Sequence, residues 1–509
     1  MVTTVSVWIL GDQLLVRHPA LLAAEARVGR AAVTVLLVES EARLAQQRYH
    51  RRKLVLILSA MRHYAAALRA AGYRVDLRRA PDFATAVREH LAEHGADRMI
   101  AMAAAERGTR ALQHALAHDL PLELLPNTQL LCGQHDPLPG TPITRRVVLE
   151  TFYRAMRRHF GVLLDDAGAP LGGQWNYDAA NRRPLPRTVG VPPAQQFAPD
   201  SITLATIDEV QQRAGVGDAA GFDLPVTHDD ARRALAGFIA GRLSRFGDYE
   251  DAMRADDGVL FHSVLSPALN IGLLEPLEVI RAAERAYHVG DAPLNAVEGF
   301  VRQILGWREY MYWQYWRIGE HLVTANAWGA HRSLPAFFWH GSSDMHCVAT
   351  VVQRVHQTGY AHHIERLMIL SNLCMLAGIT PAHVNDWFLA SFVDAYDWVM
   401  VPNVFGMGLN ADGGGVATKP YIASAAYIDR MSDYCAGCRF NPRIRHGPDA
   451  CPFNVLYWNF LIAHEARLRA NPRFGPAVLG LRHLDVAERA AVQQAAIALL
   501  AGWSGEPPP

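Results

Sequence analysis

Cysteine is scarce in this chain: there are six in 509 residues, and three of them fall within DYCAGCRFNPRIRHGPDAC (433–451). So few, with a Cys-x-x-Cys among them, argue against a disulfide-held scaffold and fit a metal in a reducing compartment. Net charge is missing too, since 49 basic residues balance 49 acidic ones. The field of the whole protein therefore cannot hold a polyanion, and any such contact needs a local basic surface. No uncharged apolar run reaches about 18 residues, so no membrane-spanning helix is expected. The opening apolar stretch, VSVWILGD, lacks a basic flank and a small-residue cleavage site. A soluble, cytoplasmic protein is expected. No internal repeat occurs.

Apolar residues are plentiful. They make up half the chain, enough for a large core and two or more domains. Residues 5–10 (VSVWIL), 33–38 (VTVLLV), 73–77 (YRVDL) and 98–103 (RMIAMA) read as strands, with helical patterns such as 53–70 between them. That alternation predicts a parallel sheet covered on both faces. The GDQLL that follows the first strand would lie at a strand's carboxyl end, where open α/β sheets bind ligands. From about 132 to 228 the pattern dissolves into Pro/Gly-rich sequence around one basic helix, RRVVLETFYRAMRRH. From 229 onward nearly everything reads as helix. The expected organisation is an α/β unit over 1–131, an interdomain linker over 132–228 and an all-α unit over 229–509.

Four segments carry candidate chemistry, and each also has a plain structural reading. FHSVLSPALNIGLL (261–274) sets Ser and Pro at a helix start, which suits a phosphate or an ordinary cap. GWREYMYWQYW (306–316) embeds Arg308 and Glu309 among aromatics that can equally be core. YAHHIERLMILSN (360–372) puts His362 beside His363 at the head of an apolar helix. Adjacent helical residues point about 100° apart, so a general-acid pair suits them better than one shared metal. WFLASFVDAYDWVMVPNVFGM (387–407) sets Asp394, Asp397 and Asn403 among aromatics, which suits hydrogen bonding to a flat heterocycle or simple helix capping.

Taken in order, WILGDQL, LSAMRHYAAALRAAGYRV, GGQWNYD, PLNAVEGFVRQILGWREYM, AHHIERLMIL, DAYDWV, PNVFGM and KPYIASAAYIDRMSDYCAGC resemble the photolyase/cryptochrome superfamily. The likeness is to its bacterial iron–sulfur branch of photolyase-related cryptochromes and (6-4) photolyases, and it spans essentially the whole chain. It implies a Rossmann-like antenna domain followed by an all-helical FAD-binding domain. It also supplies the missing fourth thiol: FFWHGSSDMHC matches the upstream ligand segment. Cys347, Cys435, Cys438 and Cys451 then correspond to the ligands of a [4Fe–4S] cluster. Thiolate chemistry alone also allows a Cys₄ zinc site. Cys132 and Cys374 match no ligand and read as free thiols.

The resemblance implies the remaining roles. Ser263, Leu265 and Ser266 would meet the phosphates of a bent FAD, while Gln303, Trp307, Arg308 and Tyr310 would line its pocket. Asp394 and Asn403 would face the isoalloxazine. His362 and His363 match a catalytic pair for (6-4) lesions, and Asp251 matches a residue near the lesion. Trp387 and Trp339 match an electron-transfer chain, with Tyr396 as a third member. Gly11, Asp12, Gln13 and Glu39 are the candidates for an antenna chromophore, 6,7-dimethyl-8-ribityllumazine. Arg154, Arg157 and Arg158 on the basic helix, together with RFNPRIRH (439–446), are candidates for DNA phosphates, or are solvated faces. The implied activity is light-driven repair of a pyrimidine dimer in DNA by a monomeric (6-4) photolyase. The alternative is a blue-light photoreceptor acting through a signalling partner. Two departures leave room for it: Phe388 where a tyrosine is expected, and Met400 where some members carry a glutamate.

Overall fold

A computed structural model describes residues 4–471, 474 and 478–503. Five strands, β1 (Val5–Ile9), β2 (Val33–Ser40), β3 (Arg74–Ala80), β4 (Arg98–Met102) and β5 (Leu122–Leu125), form one sheet in the order β3-β2-β1-β4-β5. Every pairing is parallel, and central β1 sets Val5 opposite both Val33 and Arg98. β1 and β2 are buried at every residue, as expected for strands covered on both faces. Alternate side chains go to different cores. Val5, Val7 and Ile9 join the main core beneath the helix Arg51–Ala70, while Trp8, Leu36 and Met99 pack under the helix Phe83–His94. β5 is absent from the pattern reading because LELL is too short to show a period.

Strand order reverses between β1 and β4, so the loops at their carboxyl ends flank a topological switch point. Gly11–Gln13 leaves β1 there, and Ala103–Glu106 leaves β4.

The stretch expected as a linker is packed, not free. Its helix Leu149–Phe160 buries Phe152, Tyr153 and Met156, with Phe152 against Tyr310 of the helical half. A second helix, Ser201–Gln211, lies on Arg51–Ala70 and is tied to it by Arg62, which reaches Glu209 (2.7 Å) and Thr206 (2.9 Å). The segment thus fastens to both halves.

Among the described residues from His228 to Ala501 every named element is a helix, joined by irregular stretches. Proline stands in the first turn of several of these helices, among them Pro276, Pro381 and Pro452, where its missing N–H costs nothing. Three helices are interrupted by seven-residue π-helical turns: Arg302–Arg308, Glu365–Ser371 and Pro402–Gly408. Such turns are rare and tend to mark functional sites. The second and third meet closely, since a Cβ on Gly408 would sit 2.7 Å from the Ser371 hydroxyl. Among the described residues no helix is long and apolar enough to cross a membrane.

Candidate functional site

The three π-helical turns wall a cavity of about 250 Å³ inside the helical half. The first contributes Gln303, Trp307 and Arg308, the second Arg366 and Ser371, and the third Asn403 and Met407. Widening a helix by one residue turns side chains to a face that regular spacing would not give them. His363, Ser263, Ser266, Asp394, Phe388 and Met400 complete the wall.

The polar groups of this wall are largely paired. Arg366 grips Asp394 with both terminal nitrogens, at 2.9 and 3.1 Å, and the Ser266 hydroxyl donates to the same carboxylate at 2.6 Å. Ser266 therefore supports Asp394. Arg308 pairs with Glu309 at 2.8 Å and lies over the Trp398 ring. Between Ser263 and Leu265, Val264 holds φ = 56°, a left-handed conformation that a β-branched residue rarely adopts and that neighbouring structure must maintain. Asn403 donates to Val399 O at 2.7 Å.

Several expected residues lie elsewhere. Leu265 is buried in the core beneath the loop. Tyr310 is also buried away from the cavity, its hydroxyl donating to Val147 O at 2.8 Å. Asp251 accepts a long hydrogen bond from the Tyr427 hydroxyl (3.4 Å), and the carboxyl on the cavity wall is its neighbour Glu250. Burial pushes Glu250 up to about 8, and Gln303 donates to it at 2.6 Å. Of the histidine pair only His363 opens onto the cavity. His362 is fully buried and stacks on His262 with ring centroids 4.4 Å apart. Burial, with neighbouring histidines and arginines, holds His262 and His362 well below the ordinary imidazole range, so both are neutral. Glu250, His262 and Arg366 were not singled out from the sequence, although each sits inside or beside a quoted motif.

Trp387 is fully buried, donates to Phe338 O at 2.9 Å and packs against Phe338, Phe388 and Phe392. Phe388 touches both Trp387 and the cavity. Trp339, half-buried, follows Phe338 on the short helix Phe337–His340. Tyr396 does not extend this line of rings, because it lies in a second, smaller cavity at the sheet's switch point.

That second cavity is lined by Gly11, Asp12 and Glu39 and by four residues the sequence did not flag, Arg43, Tyr49, Lys53 and Glu106. Gln13 turns away from it and donates to Ala103 O at 3.1 Å. Glu39 is held by Arg62 at 2.8 and 3.0 Å. Arg43 pairs with Glu106, and the Lys53 ammonium lies over the rings of Tyr49 (4.3 Å) and Tyr396 (4.8 Å). Burial pushes Asp12 up to about 6 and Lys53 down to about 7.

Cys347, Cys435, Cys438 and Cys451 line one small apolar pocket with Tyr434, Phe440 and Phe453. A single tetrahedral zinc needs its thiolates roughly 3.8 Å apart. No three of these four sulfurs lie within 4.8 Å of one another, so they do not stand at the spacing of a bound zinc. Cys374 is buried elsewhere, and Cys132 bonds to the Glu309 backbone.

The basic helix does not present three free arginines. Arg157 is buried, donating to the carbonyls of Val162, Leu163 and Trp175. It clamps the chain that follows the helix, and its guanidinium does not reach the surface where a phosphate would bind. Arg154 pairs with Glu150 at 2.8 Å, and Arg158 lies exposed over the Trp175 ring.

A family model described as deoxyribodipyrimidine photo-lyase-related protein matches residues 7–224. A relative from Agrobacterium fabrum, named "(6-4) photolyase", is 43% identical over 477 residues, covering 92% of this chain and 93% of that protein. Two crystal structures share the fold at low identity. A bacterial class III photolyase from Agrobacterium tumefaciens is 18% identical, with TM-score 0.58 over 98% of each chain. A cryptochrome from Synechocystis is 15% identical, with TM-score 0.56 over 80% of this chain and 82% of that one. The chain thus belongs to the photolyase/cryptochrome superfamily, in its bacterial iron–sulfur branch.

Proposed function

We propose that this protein is a (6-4) DNA photolyase, a light-dependent repair enzyme acting on a flipped-out (6-4) pyrimidine photoproduct. The observation that carries the reading is His363 opening onto the cavity of the helical half beside the Arg366–Asp394 pair. It does so in a chain 43% identical, nearly end to end, to a protein named (6-4) photolyase.

FAD, if held in that cavity and reduced, would supply the electron that light drives into the lesion. The residues suited to hold it are Ser263, Gln303, Trp307, Arg308, Asp394 and Asn403. The fixed Arg366–Asp394 pair and the left-handed Val264 favour a wall that needs little reorganisation on binding. His363 is the general acid: its ring can give a proton to the lesion and recover it within one turnover. Glu250 and Gln303 offer neutral hydrogen-bond donors on the same wall at neutral pH. Trp387 and Trp339 form the path by which outside electrons reach the cavity.

The cysteine quartet suits a [4Fe–4S] cluster, supported by the one pocket the four thiols line and by its all-thiol donor set. The switch-point cavity suits an antenna chromophore of the lumazine class, with Asp12, Glu39 and Lys53 as polar contacts. Residues 1–131 would then form the antenna domain and 229–509 the FAD domain, with 132–228 clasping both. Arg154 and Arg158 remain candidates for DNA phosphates.

A photoreceptor reading keeps one observation in its favour, since Phe388 and Met400 both line the cavity. The deciding experiment is light-dependent repair of an oligonucleotide carrying one (6-4) lesion, with a cyclobutane dimer as control. Wild-type protein loaded with flavin that restores neither lesion overturns the repair reading.

A further inference from the structure

Behind His363 lies a buried polar chain that none of the assigned roles uses. His362 stacks on His262, and His362 Nε2 stands 3.7 Å from Glu365 Oε1. Glu365 is fully buried. The same oxygen accepts from Arg354 at 2.5 Å and from the Tyr434 hydroxyl at 2.6 Å. Tyr434 immediately precedes Cys435, and its backbone carbonyl is bonded to the ring of His346 (2.9 Å), which precedes Cys347. Two of the four cysteines are thus one residue from the outer end of this chain.

Its inner end is unsatisfied. Neither ring nitrogen of His362 has a hydrogen-bond partner, and neither has the second oxygen of Glu365 or Nε2 of His262. Buried polar atoms without partners are uncommon and costly, and they point to an interaction made in another state of the protein. A small rotation closes the 3.7 Å gap between His362 and Glu365. That bond would fix which His362 nitrogen carries its proton, as a carboxylate behind a catalytic histidine does.

We propose that Glu365 and Tyr434 are positioning residues for the His362–His363 pair, and that through Tyr434 the cysteine-lined site sets the geometry of the cavity wall. This rests on the reading of the cavity as the flavin and lesion site. The charged and titratable groups facing His362 are Arg354, Arg366, His363, His262 and Glu365. Those facing Glu365 are Arg354, Tyr434, Asp257 and His362. Apart from Asp257, Glu365 is the one anion in either set, so it alone favours the imidazolium.

The test uses full-length protein carrying flavin and iron, as Glu365→Gln and Tyr434→Phe. Glu365→Gln removes the anion that faces the pair, so both rings lose proton affinity and the limb of the repair profile that reports the pair's protonation moves to lower pH by about one unit. Tyr434→Phe removes one donor and leaves the carboxylate freer to face His362, so the limb moves to higher pH. Each variant should also lose about tenfold in yield per flash, the scale of one charge-assisted hydrogen bond. Iron, flavin content and DNA affinity should match wild type. The flavin absorption band, titrated over the same pH range, reads the relay without repair. Opposite shifts in that titration support the proposal even if neither lesion is repaired, which would be a failure of the functional reading only. Unshifted titrations in both variants with full flavin and iron overturn the proposal, as do parallel shifts.

Discussion

The cavity in the helical half and the cavity at the switch point of the sheet differ in how their buried charges are balanced. In the helical half each charge on the wall has a partner fixed by geometry, Arg366 with Asp394 and Arg308 with Glu309, and burial keeps His262 on the wall and His362 behind it neutral. His363 opens onto the cavity, and burial with Arg366 nearby brings its ring down to about 4. At the switch point of the sheet, Asp12, Lys53, Arg43 and Glu106 crowd a smaller space. Burial there drives Asp12 up and Lys53 down until both titrate near neutrality. A wall of paired ions that at neutral pH carries a neutral imidazole at His363 and a protonated carboxyl at Glu250 suits chemistry that moves a proton. A pocket of partly neutralised charges holds free energy that a polar ligand can release.

The sharpest way to break this contrast is His363→Ala. Repair of a (6-4) lesion should fall by about 10²–10⁴-fold, the usual cost of losing a general acid. FAD, iron and DNA affinity should persist, because the paired charges of the wall are untouched. Product yield per flash, with flavin content measured on the same sample, checks this. Wild-type yield would remove the proton-donor role and favour the photoreceptor.

Next in size is Cys435→Ser. Iron should drop from about four per chain toward none, with a lowered melting temperature because ligation is coupled to folding. Cys374→Ser should keep its iron. Elemental analysis distinguishes iron from zinc, and zinc in the wild-type protein would overturn the cluster. If the link through Tyr434 holds, the flavin absorption of Cys435→Ser should change as well, whereas a purely local defect would leave it alone.

How much of this was legible beforehand depended on the kind of signal. Four strands and the helical half follow from hydrophobic period, and the buried runs VSVWI and VTVLLV leave little choice. The meeting of four cysteines rested on resemblance, because no local rule brings residue 347 to 435. Side-chain direction was the least legible. Arg157 shares a helix face with Arg154 and Arg158, yet the chain turns back after Phe160 and sets three carbonyls around its guanidinium. Asp251 and Glu250 differ by one residue, and only packing against Gln303 decides which faces the cavity. The π-helical turns were invisible to a reading at 3.6 residues per turn, and they aim Arg366 and Asn403. Tyr396, grouped with Trp387 by its motif, went to the other cavity because the chain from Asp394 to Asp397 crosses from one to the other.

Trp387→Phe addresses the boundary of the cavity in the helical half and has a smaller expected effect. Photoreduction of the flavin by an external reductant should slow severalfold, while chemically reduced protein repairs nearly as wild type does. The Phe388 ring already stands between this tryptophan and the cavity and offers no proton to lose. Chemically reduced Trp387→Phe that holds FAD and repairs nothing would mean the tryptophan shapes the cavity and does not carry electrons.

Asp12→Asn tests the other pole of the comparison, with the smallest effect. The folded protein raises Asp12 from 3.8 to about 6, so between those values the native state binds more proton than the unfolded chain. Wild-type stability therefore falls as pH rises from about 4 to about 6 and is flat in this component above that. Asparagine has the same shape and no charge to bury. The variant should match wild type below pH 4 and exceed it by about 1–2 kcal/mol above pH 6.5, read as melting temperature across pH. Arg43 keeps Glu106 as its partner, so removing Asp12 does not leave that guanidinium alone. Lys53 loses an anion from the same pocket, which trims the gain. A variant less stable than wild type at pH 7, or a difference that ignores pH, would mean that Arg43 and Lys53 already compensate Asp12. The switch-point pocket would then be as balanced as the one in the helical half, and the contrast between them would be one of size alone.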